Sequence, residues 1–211
     1  MSSLFFDCSN GLSGPMLVGA LCDLGAKPSS LEWDLSQVDL GEFHAHFERV
    51  SESGVTGVKF SIHRGAVHTP DQDAKHDHDH HDCEHDHEHD EKCVHSIPNL
   101  VASVERSALA DQVKARIESI FQRLGQTHDA LTLAEAAAVI CATSALAAVK
   151  PERVAFFCRE GTMDATIDSG SAFAAEFVSS SHGLPTIEIA KTGCGLGADG
   201  QYLRAVLGEP A

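Results

Sequence analysis

A chain of 211 residues with 43% hydrophobic content carries enough apolar side chain to bury a core, as one domain or two small ones. Its formal net charge of −16 disfavours nucleic acid and anionic membrane surfaces, whose phosphates it would repel. The start, Met1-Ser2-Ser3-Leu4, has no basic segment or long apolar run, no stretch reaches the roughly 18 apolar residues a bilayer span needs, and the seven cysteines form no short-spaced framework, so reduced thiols and a cytoplasmic location are expected.

In chain order, Leu4-Phe5-Phe6 reads as a buried strand that enters the small-residue loop Asp7–Pro15. Pro15 suits the first turn of a helix and Gly25 its end, with Met16, Leu17, Ala20, Leu21 and Leu24 at helical spacing between them. Phe43, Ala45 and Phe47, then Val58, Phe60 and Ile62, alternate with polar residues on either side of Ser53-Gly54, which predicts a hairpin. From Asp71 to His95 there is no hydrophobic periodicity, and this tract is expected to be disordered without metal. Leu100, Val101, Val104 and Leu109 form one helical stripe, and Val113, Ile117, Ile120, Phe121 and Leu124 a second. A third helix is predicted from about Thr132 to Val149, stopped by Pro151. Val154–Phe157, Thr186–Ala190 and Tyr202–Leu207 read as strands, with Gly193–Gly197 as a tight turn before the last. The expected fold is α/β: a mixed sheet with covering helices, interrupted by a disordered His/Asp-rich loop. Residues 1–70 and 96–211 would form the two halves of one domain, and 71–95 a metal-binding insert.

The insert carries the strongest chemical signal. His76, His78, His80, His81, His85, His87, His89 and His95, with Cys83 and Cys93, fall within one short tract. Neutral imidazole is a good ligand for nickel, zinc and copper, and carboxylates beside it help hold the ring. Such a tract offers interchangeable ligand sets, so it should bind several ions with moderate affinity and fast exchange, and release them below about pH 6 as imidazoles protonate. Composition alone does not separate nickel from zinc, and cobalt fits the same ligands.

Other residues carry weaker signals. Asp7, at a strand end beside a glycine-containing loop, could bind a cation or hold a ligand hydroxyl; it could equally order the loop. Ser9, Gly11, Ser13 and Gly14 could cradle a phosphate at the helix start, although the loop lacks the lysine of a P-loop. Cys8 reads as a soft ligand or, more simply, a small buried residue. Glu135 lies on an alanine-rich helix where a plain surface carboxylate would also fit. His44 and His46 share one strand face at period two, as joint ligands or as an exposed polar face.

The stretch Leu4–Gly25, the strand pair around Ser53-Gly54-Val55-Thr56-Gly57, the His-rich insert after it, the helices over Ile97–His128, and the segments Gly193–Gly197 and Leu203–Gly208 resemble the LarC family. These are nickel-insertion proteins that metallate a pincer nucleotide cofactor. The resemblance implies nickel as the ion, the pincer nucleotide as a partner, and nickel chelatase activity. It also implies a role for Asp7 and Glu135 as candidate catalytic residues. Pro15 stands where the family has a loop aspartate, Leu131–Val139 replaces a His-x-His-Glu-Val-Gly-Ala-Val-Asp motif of which Glu135 remains, and Gln201-Tyr202 replaces an asparagine. The family's C-terminal domain, which the resemblance would credit with CTP-dependent cofactor chemistry, has no counterpart in the sequence, so a separate chain carrying it is a further expected partner. The rival expectation is a stand-alone divalent-metal buffer or storage protein.

Overall fold

The computed structural model describes residues 2–65, 94–157, 168–178 and 186–210. β1 (Ser3–Asp7) buries Leu4 and Phe6 on one face and Phe5 on the other, as a strand inside a sheet must. The loop after it ends at Ser13, whose side chain caps α1 (Gly14–Leu24), and Gly25 closes that helix with φ of 120°. α2 (Pro28–Ser36) was not foreseen. It buries only Leu31 and Leu35, too few positions to establish a period, and Pro28 at its first turn was the available sign.

β2 (His44–Glu52) and β3 (Val55–His63) form the predicted hairpin, with Ser53 and Gly54 both at positive φ, as a two-residue turn between twisted strands requires. β4 (Val94–Ser96) leads into α3 (Ile97–Arg106). α3 ends before Leu109, where the Ser107 hydroxyl donates to the Val104 carbonyl at 2.6 Å; Leu109 is buried in the link rather than on the helix. α4 (Asp111–Leu124) is followed by β5 (Ala130–Thr132), which pairs with β4 in a separate two-stranded sheet. α5 (Leu133–Val149) ends at Lys150 in the left-handed conformation, one residue before Pro151. β6 (Arg153–Phe157), α6 (Ser169–Phe177), β7 (Ile187–Leu196) and β8 (Tyr202–Pro210) complete the described chain.

The main sheet has six strands in the order β2-β3-β7-β8-β1-β6 and is mixed: β1 with β6 and β3 with β7 run parallel, and the other neighbours antiparallel. α1 lies on β3, β7 and β8, and α5 lies on α1. α5 is apolar all round because α1, α2, α4 and α6 surround it.

Gly193–Leu196 is strand rather than turn. A Cβ on Gly195 would stand 1.8 Å from the Met16 carbonyl oxygen, and one on Gly193 2.5 Å from that of Ala20. These glycines let the backbones of β7 and α1 touch, a role distinct from reversing the chain. The reversal comes later, at Asp199 and Gly200, both at positive φ, where Gly197 N–H donates to the Gln201 carbonyl at 2.9 Å. The expected disordered loop lies, apart from its last two residues, outside the described residues.

Candidate functional site

β1 and β6 are parallel, so their carboxyl ends lie side by side at Asp7 and Phe157, and Cys8 N–H extends the pairing to the Phe157 carbonyl at 2.8 Å. In open α/β sheets such an edge, followed by a helix start, is where ligands are held. Asp7 Oδ1 accepts from the Ser9 N–H at 3.1 Å and the Ser9 hydroxyl at 2.5 Å, which fixes the carboxylate and the loop together. Gly11 has φ of 123°, and a Cβ there would come 3.4 Å from the Gln201 side-chain oxygen, so the turn after β7 borders this loop.

Ser13 Oγ accepts from Met16 N–H at 3.4 Å. Pro15 has no N–H, so Gly14 supplies the remaining donor of the first helical turn. That leaves the start of α1 with less capacity for a phosphate than a glycine-rich loop of the P-loop type. A Cβ on Gly14 would stand 2.5 Å from Ser169 Oγ and 2.8 Å from Ala138 Cβ, and one on Gly170 2.9 Å from Ser13 Cα. The starts of α1 and α6 therefore meet against the middle of α5. Asp168 caps α6, its Oδ1 accepting from Ser171 N–H at 2.7 Å. Asp168, Ser169, Gly170 and Gln201 are the neighbours that reading the sequence missed; the run Asp-Ser-Gly-Ser, a helix-capping pattern, was the overlooked signal for three of them.

Glu135 closes a capping box at the start of α5. Its Oε2 accepts from Thr132 N–H at 2.9 Å and from the Thr132 hydroxyl at 2.8 Å, while Thr132 Oγ1 accepts from Glu135 N–H at 3.2 Å. Cys8 is fully buried, with its Sγ 3.9 Å from the Phe6 carbonyl, as a small core residue.

Of the expected metal ligands, His76, His78, His80, His81, Cys83, His85, His87, His89 and Cys93 lie outside the described residues. His95 belongs to the folded domain: it sits in β4, opposite Leu131 of β5. Arg64 Nη2 lies 3.4 Å from His95 Nε2, and because a guanidinium can only donate, Nε2 is the acceptor and the ring proton belongs on Nδ1. Burial lowers the His95 pKa, the Arg64 charge lowers it further, and Asp39 opposes them.

The other thiols among the described residues are poor ligands. Burial, aided by Asp23, pushes Cys22 up to about 12. Burial raises Cys141 well above its ordinary value and raises Cys194 too, where Asp23 adds to the effect and Arg204 opposes it. All three stay protonated at neutral pH, and it is the thiolate that binds metal.

The architecture is thus a mixed α/β fold with a carboxylate at a strand end, two converging helix starts beside it, and His95 of the His-rich tract in β4. The family model for nickel insertion proteins matches residues 4–146, and the chain belongs to that family. A pyridinium-3,5-bisthiocarboxylic acid mononucleotide nickel insertion protein of Desulfitobacterium hafniense is 30% identical over 128 residues, covering 61% of this chain and 26% of its own length. One of the same name from Staphylococcus epidermidis is 31% identical over 126 residues, covering 60% of this chain and 26% of its own length. A putative nickel insertion protein of Wolinella succinogenes is 30% identical over 178 residues, covering 83% of this chain and 35% of its own length. The chain therefore spans about a quarter to a third of the curated relatives it matches. No solved structure matches. No helix among the described residues is long and apolar enough to cross a membrane.

Proposed function

We propose that this chain carries Ni²⁺ to a pyridinium bisthiocarboxylate mononucleotide, collecting the ion on the histidines of 76–95 and releasing it at the Asp7–Gly14 loop. The carrying observation is the family match, which runs from β1 through α5 and so takes in both the loop and the tract. The relatives' printed names supply the acceptor. Nickel is the cargo, so its holder must let go. Imidazoles from a run of alternating histidines and acids offer interchangeable ligand sets and exchange quickly, whereas the thiocarboxylates of the acceptor are softer donors and would draw the ion onward.

At the receiving end, Asp7 is a carboxylate already fixed by Ser9 and suited to hold a cation while it changes ligands. Ser9, Gly11, Ser13 and Gly14 would face the nucleotide's phosphate, with the Gly14 N–H as the backbone donor. Zinc and cobalt would compete for the same imidazoles, and selection would come from the sulfur-bearing acceptor.

The test is direct transfer. Nickel-loaded full chain is mixed with the unmetallated nucleotide, and the product is read by mass. Nickel appearing on the nucleotide, with the rate cut at least tenfold in Asp7→Asn, is the expected result. A chain that binds nickel and never yields it would be a metal store, and the proposal would fail. Deletion of Lys75–Lys92 should abolish multi-ion nickel binding in calorimetry while leaving the domain folded, with a cooperative thermal transition retained. Undiminished stoichiometry would show that the ligands lie elsewhere.

A further inference from the structure

The β2–β3 hairpin places a second set of imidazoles on one face. In the antiparallel register His44 stands opposite His63, and His46 opposite Ser61, so all three histidines project from the same side of the sheet. The other side of β3 carries Val58, Phe60 and Ile62, which are buried against the helical layer. Directly opposed residues in such a ladder have Cβ atoms about 4.5–5.5 Å apart, and diagonal neighbours remain within reach of a ring. The rings of His46 and His63 have their centroids 5.4 Å apart with a 55° angle between their planes.

That separation has a chemical meaning. With metal–nitrogen bonds of about 2.0–2.1 Å, each ring centroid lies roughly 3.2 Å from the ion, so two imidazoles sharing one ion at 90–120° have centroids about 4.5–5.5 Å apart. No group of three His, Cys, Asp or Glu side chains among the described residues is already arranged around a cation position. The observed unit is therefore a pair, with His44 directly opposite His63 on the same face. Both His46 and His63 are exposed, so an ion can reach them and water can complete its shell. In sequence the hairpin lies next to the tract: His63 precedes His76 by 13 residues.

We propose that His44, His46 and His63 form a separate site for one divalent transition ion, built on rigid strands. Fixed imidazoles bind one ion in one geometry, unlike the interchangeable ligand sets of the tract. Resting on the nickel-carrying reading above, this site would be a stop for Ni²⁺ between the tract and the receiving loop. Two or three nitrogen ligands with open positions leave the ion exchangeable.

The experiment uses the full chain with the seven histidines from His76 to His89 replaced by asparagine, and Cys83 and Cys93 by serine. Calorimetry with Ni²⁺ at neutral pH should show one residual equivalent. Histidine-selective ¹H–¹³C spectra should show His46 and His63 ring signals broadened by the paramagnetic ion. His46→Ala and His63→Ala should each weaken this residual binding at least tenfold, and His46→Gln should do so without moving the thermal midpoint. No residual equivalent, or residual binding that ignores these substitutions and leaves the hairpin signals sharp, would overturn the site. In that case an unsubstituted chain that still binds several ions and delivers nickel keeps the carrier reading intact. A chain that binds none defeats both.

Discussion

A histidine that the fold keeps neutral makes stability sensitive to acid in one direction. His95 has a folded pKa below the ordinary value, because of burial and then Arg64, with Asp39 opposing. Above about pH 6.5 neither the folded nor the unfolded chain protonates it, and it contributes no pH dependence. As pH falls below that value the unfolded chain takes the proton first, so stability drops until the folded pKa is passed. Urea unfolding at intervals from pH 7.5 to 5 should therefore show a steeper loss for the native chain than for His95→Gln; parallel curves would remove this role. The tract's composition marked His95 as a metal ligand in line with the other seven histidines. Among the described residues, β-pairing and a guanidinium tie His95 into the domain, and nothing in residue spacing distinguishes a tract's last histidine from a strand's second residue.

At the level of elements, the contact of α1 with β7 depends on missing side chains. Gly195→Ala would drive a methyl into the Met16 carbonyl, with backbone on both sides and no flexible end to yield. The expected cost is about 3 kcal/mol or more, read as a lowered denaturation midpoint. Gly19 presses from the other partner, with the Val58 oxygen 2.2 Å from where its Cβ would be. Asp23 binds the same elements by polar contacts: its Oδ2 accepts from Cys194 N–H at 2.9 Å, and its Oδ1 pairs with Arg49 of β2. The β3–β7 pairing covers only Val58–Lys59 against Gly195–Leu196, and Asp23 takes the amide just beyond it. Asp23→Ala should cost about 1–3 kcal/mol by leaving that amide unpaired, again measured in denaturant. A variant as stable as the native chain would show that water replaces the carboxylate.

These elements were unequally legible. The hairpin followed from alternation around Ser53-Gly54, and α5 from its long apolar run and Pro151. β7 was cut short because glycines that permit close approach look, in a sequence, like glycines that turn a chain. α6 escaped because its small residues, Ser169, Gly170, Ala172 and Ala174, fill space beside α1 and α5 and carry little periodic signal. Asp7, Ser9 and Ser13 were recognised as a group, but their neighbours Asp168 and Gln201 come from far along the chain, and only the fold brings them near.

For the whole molecule, sheet order was the least accessible quantity. A mixed α/β sheet was expected, but no local pattern announces that β1 ends up between β6 and β8. That placement limits which fragments can fold. The family match ends at Leu146, before β6, β7 and β8, yet β1 has both its partners among those strands. A fragment of residues 1–146 would expose both edges of β1 and the face of α1 that packs on β7. It should lack cooperative unfolding in calorimetry, whereas the full chain should show it. A cooperative transition in the fragment would mean that the helical layer is a folding unit of its own.

The same arrangement bears on biosynthesis. β1, with its consecutive phenylalanines Phe5 and Phe6, is made long before Tyr202–Pro210 and has to wait for that strand before it is enclosed on both sides. Until then the nascent chain carries an apolar strand without its sheet partners, the kind of exposed segment that holdase chaperones bind.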